Sequence, residues 1–188
     1  MAGIKVITQP AVEPVSLGDV KTQLRYDVDD TSPDAILTPL ITAAREWSEG
    51  YLNRALITQT LELALDEWPC ENAIELPRPL LQSVTSLTYT DSDGATTTWD
   101  AANYIVDDYS FVGRVVKKWG IAWPSVQLAV ANGIKVRFVA GYGNDATAVP
   151  LKIRQAIILL VMHWFENGMC DAPAAVVSLL SQERWYPV

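Results

Sequence analysis

Residues 58–69 read TQTLELALDEWP, and here the hydrophobic period of the chain changes. Leu61, Leu63 and Leu65 alternate with Glu62, Ala64 and Asp66, the period of two that marks a half-buried strand, ending at Trp68-Pro69. Upstream the period is helical. Ile36, Leu37, Leu40, Ile41, Ala44, Trp47 and Tyr51 recur at spacings of three and four, the stripe of a core-facing helix. Ser32 offers an N-cap for it, with Pro33 at the first helical position. Pro39 either kinks this helix or moves its start to Thr38, and the kink is the preferred reading. Further upstream, Ser16 and Asp19 have the spacing of a capping box and open a short helix running to about Leu24. The acidic loop DVDDTSPD, residues 27–34, joins the two.

Downstream the period of two persists in short pieces. Strands are expected at 73–76, 84–89, 96–99, 104–106, 113–116 and 134–139, and Asp91-Ser92-Asp93-Gly94 is expected to turn a hairpin with Gly94 at positive φ. Helical spacing returns after Pro150 and runs, apolar on most sides, until Gly168 stops it. A final amphipathic piece spans about 173–182. The order is helix, helix, a run of strands, helix, helix, and segregated runs of this kind argue an α+β fold. The expected organisation is a single domain over 1–188: N-terminal helices in 1–55, a β-rich antiparallel insertion in 56–147, C-terminal helices in 148–182 and a tail in 183–188.

Composition narrows the function. The 188 residues are 49% hydrophobic, enough for one globular core of the kind that hides roughly 70% of the unfolded surface at this length. The longest apolar stretch, 156–165, is far short of the ~20 residues that span a membrane, and no export signal is visible. Cys70 and Cys170 stand a hundred residues apart, as free thiols would. Net charge is −8, with 8 acids against 5 bases in 1–55, 11 against 6 in 56–147, and 3 against 3 in 148–188. No basic cluster exceeds Lys117-Lys118, which argues against a protein that grips nucleic acid. An acidic surface suits one that stands beside DNA without adhering to it.

Catalytic constellations are weak. Gly141-Tyr142-Gly143-Asn144-Asp145-Ala146 follows a strand and precedes a helix, as a dinucleotide fingerprint does, but no second parallel strand follows. A turn that needs glycine explains it more simply. His163, Cys170 and Asp171 fall short of the four ligands of a structural zinc site, and His163 is expected in a core or interface with its ring nitrogens hydrogen-bonded. Asp27, Asp29, Asp30 and Asp34 resemble part of a calcium loop but lack its glycine and terminal glutamate, so a solvated, helix-capping loop is the simpler reading. Asp107-Asp108 are strand neighbours pointing to opposite faces. There is no nucleophile motif. No cofactor or metal is expected, and enzyme is the weaker class. Seven tryptophans and seven tyrosines stand against three phenylalanines, a balance suited to surfaces that are wet alone and buried in a complex. Trp119, Trp123, Trp185 and Tyr186 fall in expected loops or the terminus and tilt the reading toward an assembly component.

Four segments, PVSLGDVKTQLRYDVDD (14–30), ILTPLITAAREWSEGYLNRALITQT (36–60), DEWPCENAIELPRPLLQSVTSLTYTDSDG (66–94) and VRFVAGYGNDATAVPLKIRQAIILLVMHWFENG (136–168), together resemble the head–tail connector, or adaptor, proteins of tailed bacteriophages, prophages and gene transfer agents. The resemblance reaches to about residue 170, and it is the order of the segments together with the PRPLLQSV turn and the AGYG…VP…I-x-Q-A-I junction that makes it specific. It implies a helical core carrying the strand-rich insertion, and a structural virion protein of the neck, assembled in the bacterial host cytoplasm. It also implies a homo-oligomeric ring, typically dodecameric, beneath the portal protein, receiving the next neck or tail component and letting DNA pass without specific binding. On that reading Asp27, Asp29, Asp30 and Asp34 are candidates to line the channel and Trp119 and Trp123 to form interfaces. Trp185, Tyr186, Pro187 and Val188 are candidates to dock on the portal, ordering only on contact. Alternatives are another neck component, a head-closure or tail-terminator ring, and a small nucleotide-binding enzyme using the Gly141-Gly143 turn.

Overall fold

The computed structural model describes residues 2–186 and has an α+β fold of two compact units. A sheet unit takes the segment ending at Gln9 together with Thr58–Gly141, and a helix unit takes Pro10–Ile57 and the chain from Tyr142 onward.

The sheet unit is antiparallel throughout. Its larger sheet has the order β1-β2-β8-β4-β5, where β1 is Ala2–Thr8, β2 Gln59–Leu65, β4 Leu81–Thr90, β5 Thr96–Thr98 and β8 Ile134–Ala140. The smaller sheet has the order β3-β7-β6, from Ala73–Glu75, Arg114–Lys117 and Tyr104–Asp107. The alternation that opened the sequence reading is realised in β2: Leu61 and Leu63 are buried, facing Phe138 and Val136 of β8 across the ladder. Phe138, Leu87 and Ile134 are fully buried beside them. Asp91 turns the β4–β5 hairpin as expected, its Oδ1 accepting from the amides of Asp93 and Ala95 at 3.0 and 2.9 Å, with Gly94 at φ +86°. Strand β1 was not read from the sequence; it pairs antiparallel with β2 as an edge strand.

In the helix unit α1 is Leu17–Leu24, α2 Asp34–Leu52, α3 Leu151–Asn167 and α4 Ala174–Ser181. The capping box is present, with Ser16 Oγ accepting from Asp19 N and Asp19 Oδ2 from Ser16 N, each at 3.1 Å. Helix α2 runs on through Pro39, whose ring costs it one amide donor. Ser32 is not its N-cap. Pro33 holds that place without a side-chain cap, and the Ser32 hydroxyl is turned to the Asp30 carboxyl instead. Leu37, Ile41, Ala44 and Leu52 of α2 pack with Ile153, Ile157, Leu160 and Trp164 of α3 and with Val176 and Leu180 of α4 in one apolar cluster. Inside it Arg45 is almost wholly buried, its guanidinium held by Glu13 (2.9 Å) and Glu49 (3.0 Å). Glu49 Oε1 also accepts from Leu56 N at 2.8 Å, so the charge network ties down the chain leaving α2.

Candidate functional site

The loop between α1 and α2 is built by its own acids. Asp27 Oδ1 accepts from Asp29 N at 3.1 Å, and Asp30 Oδ1 from Ser32 N at 2.9 Å, two local turns of the kind Asp favours. The backbone amide of Ser32, then its hydroxyl, hold the Asp30 carboxyl below its ordinary range. Asp34 stands apart from the other three. Its carboxylate lies 2.6 Å from the buried ammonium of Lys21, which also donates to Val28 O at 3.1 Å. The loop therefore presents Asp27 and Asp29 to solvent, with Asp30 half-buried, while Asp34 serves the fold.

The segment up to Tyr186 is seated on the helix unit. Trp185 N donates to Leu52 O, and Asn53 Nδ2 to Trp185 O, each at 3.1 Å. The Arg184 guanidinium lies 4.6 Å over the ring of Tyr51 and 4.8 Å over that of Tyr186. One backbone bond, one bond from the Asn53 side chain and the Arg184 stack seat 184–186 on the end of α2. Trp185 is half-buried and Tyr186 exposed. Pro187 and Val188 lie outside the described residues.

The two loop tryptophans have opposite surroundings. Trp123 stacks on Trp68 with centroids 5.0 Å apart and planes at 11°, touches Trp99, and gives its indole N–H to Glu71 O at 3.0 Å. With Tyr89 and Tyr104 these rings make a small aromatic core in the sheet unit. Trp119 is fully exposed. Ile121 N donates to Lys118 O at 3.0 Å and Gly120 has φ +78°, so Trp119 occupies the second position of a tight turn whose third position needs glycine. Lys118 pins that turn from outside through its ammonium, 2.7 Å from Ala102 O. The indole is held out by a rigid frame. Sequence reasoning missed Tyr109, equally exposed beyond β6, and the half-exposed Ile4 and Val6 of β1; the alternation of Ile4, Lys5 and Val6 was the available signal for the latter.

Gly141 and Gly143 lie in the segment that leads out of β8. Gly141 has φ +131°, and a side chain on Gly143 would crowd the Ala148 methyl. Tyr142, between them, accepts from Arg54 Nη1 through its hydroxyl at 2.8 Å, and the segment leads through the 3-10 turn Ala146–Ala148 into α3. His163 is half-buried with both ring nitrogens in contact, Nδ1 with Asn167 and Nε2 with Cys170. Among the described residues no three His, Cys, Asp or Glu side chains gather as a metal site would require. No described helix is long and apolar enough to cross a membrane. The candidate groups thus divide between the units, the acidic loop and the chain end in one and the tryptophans in the other.

A model of the head completion protein family matches residues 15–175. Among solved structures, a chain in the neck of an empty GTA particle, computed with C6 symmetry, superposes with a TM-score of 0.83 at 25% identity, covering 99% of this chain and 97% of that one. A chain from the virion of a native gene transfer agent particle gives 0.80 at 24% identity, over 98% and 96%. One in the neck of a native GTA particle, computed with C12 symmetry, gives 0.72 at 25%, over 98% and 97%. No curated protein matches the chain significantly. Since the family model extends over most of the sequence, from before α1 to the start of α4, the chain belongs to the head completion protein family.

Proposed function

We propose that the chain is the head–tail adaptor of a phage-like particle, a structural component of the virion neck. Its copies form a closed ring, twelve in number, beneath the portal; the ring joins the DNA-filled capsid to the next neck or tail component and leaves a channel for DNA. The observation that carries this reading is the likeness along nearly the whole length of both chains to a component of GTA necks reconstructed with sixfold and twelvefold symmetry. The work is mechanical, with no bond made or broken.

A ring of identical copies needs heterologous contacts, in which one surface meets a different surface of the next copy and the rotation closes. Trp119 is our candidate for such a contact. Burying its ring removes on the order of 200 Å² from water, up to about 5 kcal/mol at ~25 cal/mol/Å². Its turn is already rigid, so little ordering entropy opposes the gain. Trp123 acts behind it as support. Asp27, Asp29 and Asp30 are proposed to face the channel, where carboxylates repel phosphates and let DNA slide. Asp34, neutralised by Lys21, orders that loop. The segment from Trp185 to Val188 is proposed to dock on the portal, with Trp185 as its anchor and Tyr186 presented outward.

The test is reconstitution on purified portal, imaged by electron cryo-microscopy. The reading requires twelve copies in a ring, Trp119 at the contact between copies and the 27–30 loop toward the lumen. A ring with a basic lumen, or failure to bind the portal, overturns it.

A further inference from the structure

The hairpin of β6 and β7 has two unlike ends. Four residue pairs join its strands, from Tyr104 with Lys117 to Asp107 with Arg114, so the ends stand about 10 Å apart at ~3.3 Å per residue. At one end Asp107 closes the connecting loop, its Oδ1 accepting from Ser110 N at 3.1 Å and its Oδ2 from Ser110 Oγ and Arg114 Nε at 2.8 and 2.9 Å. Arg114 neutralises Asp107, and the loop presents Asp108 to solvent beside the wholly exposed ring of Tyr109. At the other end the turn that holds out Trp119 borders an open hollow of about 520 Å³, walled by Val116, Trp119 and Ile121 and flanked by Lys117 and Lys118. Lys117 N donates to Asn72 O and Lys118 N to Asn103 O, each at 2.9 Å, which braces this end. Lys118 uses one of its three ammonium protons on Ala102 O.

We infer that these two ends meet between neighbouring copies of the chain: Tyr109 of one copy enters the hollow beside Trp119 of the next, and Asp108 pairs with Lys118. The inference rests on the ring proposed above and supplies the surface that its Trp119 contact meets. A second copy is the occupant because each end offers what the other lacks, a projecting ring against an aromatic-walled recess and a carboxylate against ammonium groups. Self-pairing is disfavoured. Two Tyr109 ends together would set Asp108 against Asp108, and two Trp119 ends together would set lysines against lysines. Only the crossed arrangement joins unlike surfaces, which makes the contact heterologous, as a closed ring requires. Both ends are already held by their turns, so little freedom is lost when they meet. The two rings gain an aromatic contact, and the ion pair strengthens as water leaves.

The test places p-benzoylphenylalanine at position 109, an aromatic group that bonds to neighbouring C–H groups on irradiation. The full chain is irradiated in two samples, bound to purified portal and concentrated without it, and the adducts are sized on gels and mapped by mass spectrometry. Links between copies that join position 109 to residues 116–121 are expected. Asp108→Lys should lower their yield about tenfold, since like charges then face each other. Rings on the portal whose adducts map elsewhere overturn this contact and leave the adaptor reading standing. Adducts at 116–121 in chains that do not bind the portal support the contact and overturn the adaptor reading. Absence of links between copies in both samples, or a yield untouched by Asp108→Lys, overturns the contact.

Discussion

Arg45 Nη1 stands 3.0 Å from Glu49 Oε2, one helical turn further along α2, and both side chains are nearly closed to water. A buried charge that loses its partner keeps its desolvation cost, so such pairs are much more expensive to break than to replace whole. Arg45→Ala should destabilise the protein by about 3 kcal/mol. The measurement is urea denaturation, with the midpoint lowered and the slope unchanged. Added salt should alter the loss little, since buried pairs are weakly screened.

Asp107 predicts an acid limit for the sheet unit. The Ser110 hydroxyl at 2.8 Å, the Arg114 guanidinium at 2.9 Å and the Ser110 amide hold its carboxyl down to about 2, against 3.8 when unfolded. The lowered value belongs to the folded state, so its stabilisation is complete above 3.8 and is lost as the pH falls toward about 2. Asp107→Asn should therefore lower stability at neutral pH and flatten its fall across that window. Tryptophan fluorescence during acid titration measures both.

Gly113 is buried against Leu81, and a methyl group there would overlap the Leu81 side chain. Its carbonyl also accepts from Leu76 N at 2.8 Å, so the backbone has little room to retreat. Gly113→Ala should cost about 1–3 kcal/mol, the range for overpacking a filled site. A double-mutant cycle with Leu81→Gly, which removes the Cβ that the new methyl meets first, should show a favourable coupling by thermal denaturation.

The two tryptophans of the 119–123 loop should part company under substitution. Trp119→Ser should leave stability within about 0.5 kcal/mol, as exposed positions do, while preventing ring closure on the portal. Trp123→Ala removes a stacked ring from the aromatic core and should cost about 2 kcal/mol. A loss of stability in Trp119→Ser, or normal rings, would count against the proposed interface.

Local patterns were legible in the sequence and long-range partners were not. The Ser16 capping box, the α2 stripe, the alternation in β2 and the Asp91 hairpin each depend on neighbours within a few residues, and each was recognisable. Strand β1 was missed because one short apolar alternation is ambiguous until β2, some fifty residues later, supplies its ladder. Trp119 and Trp123 look alike in sequence; what separates them is Trp68, far upstream. Likewise Lys21 alone distinguishes Asp34 from its neighbours, and Leu52 and Asn53 make Trp185 a fixed residue.

The helix unit is written in two halves with all but the first strand of the sheet unit between them, and this has a price in time. At ~5–20 residues per second a ribosome needs several seconds to pass from Ile57 to Tyr142. Throughout that interval the apolar stripe of α2 has emerged while α3, which must cover it, does not yet exist. The strands can close first. Nascent chains crowded on one messenger would thus carry bare helices side by side, making chaperone demand a property of gene order within the fold.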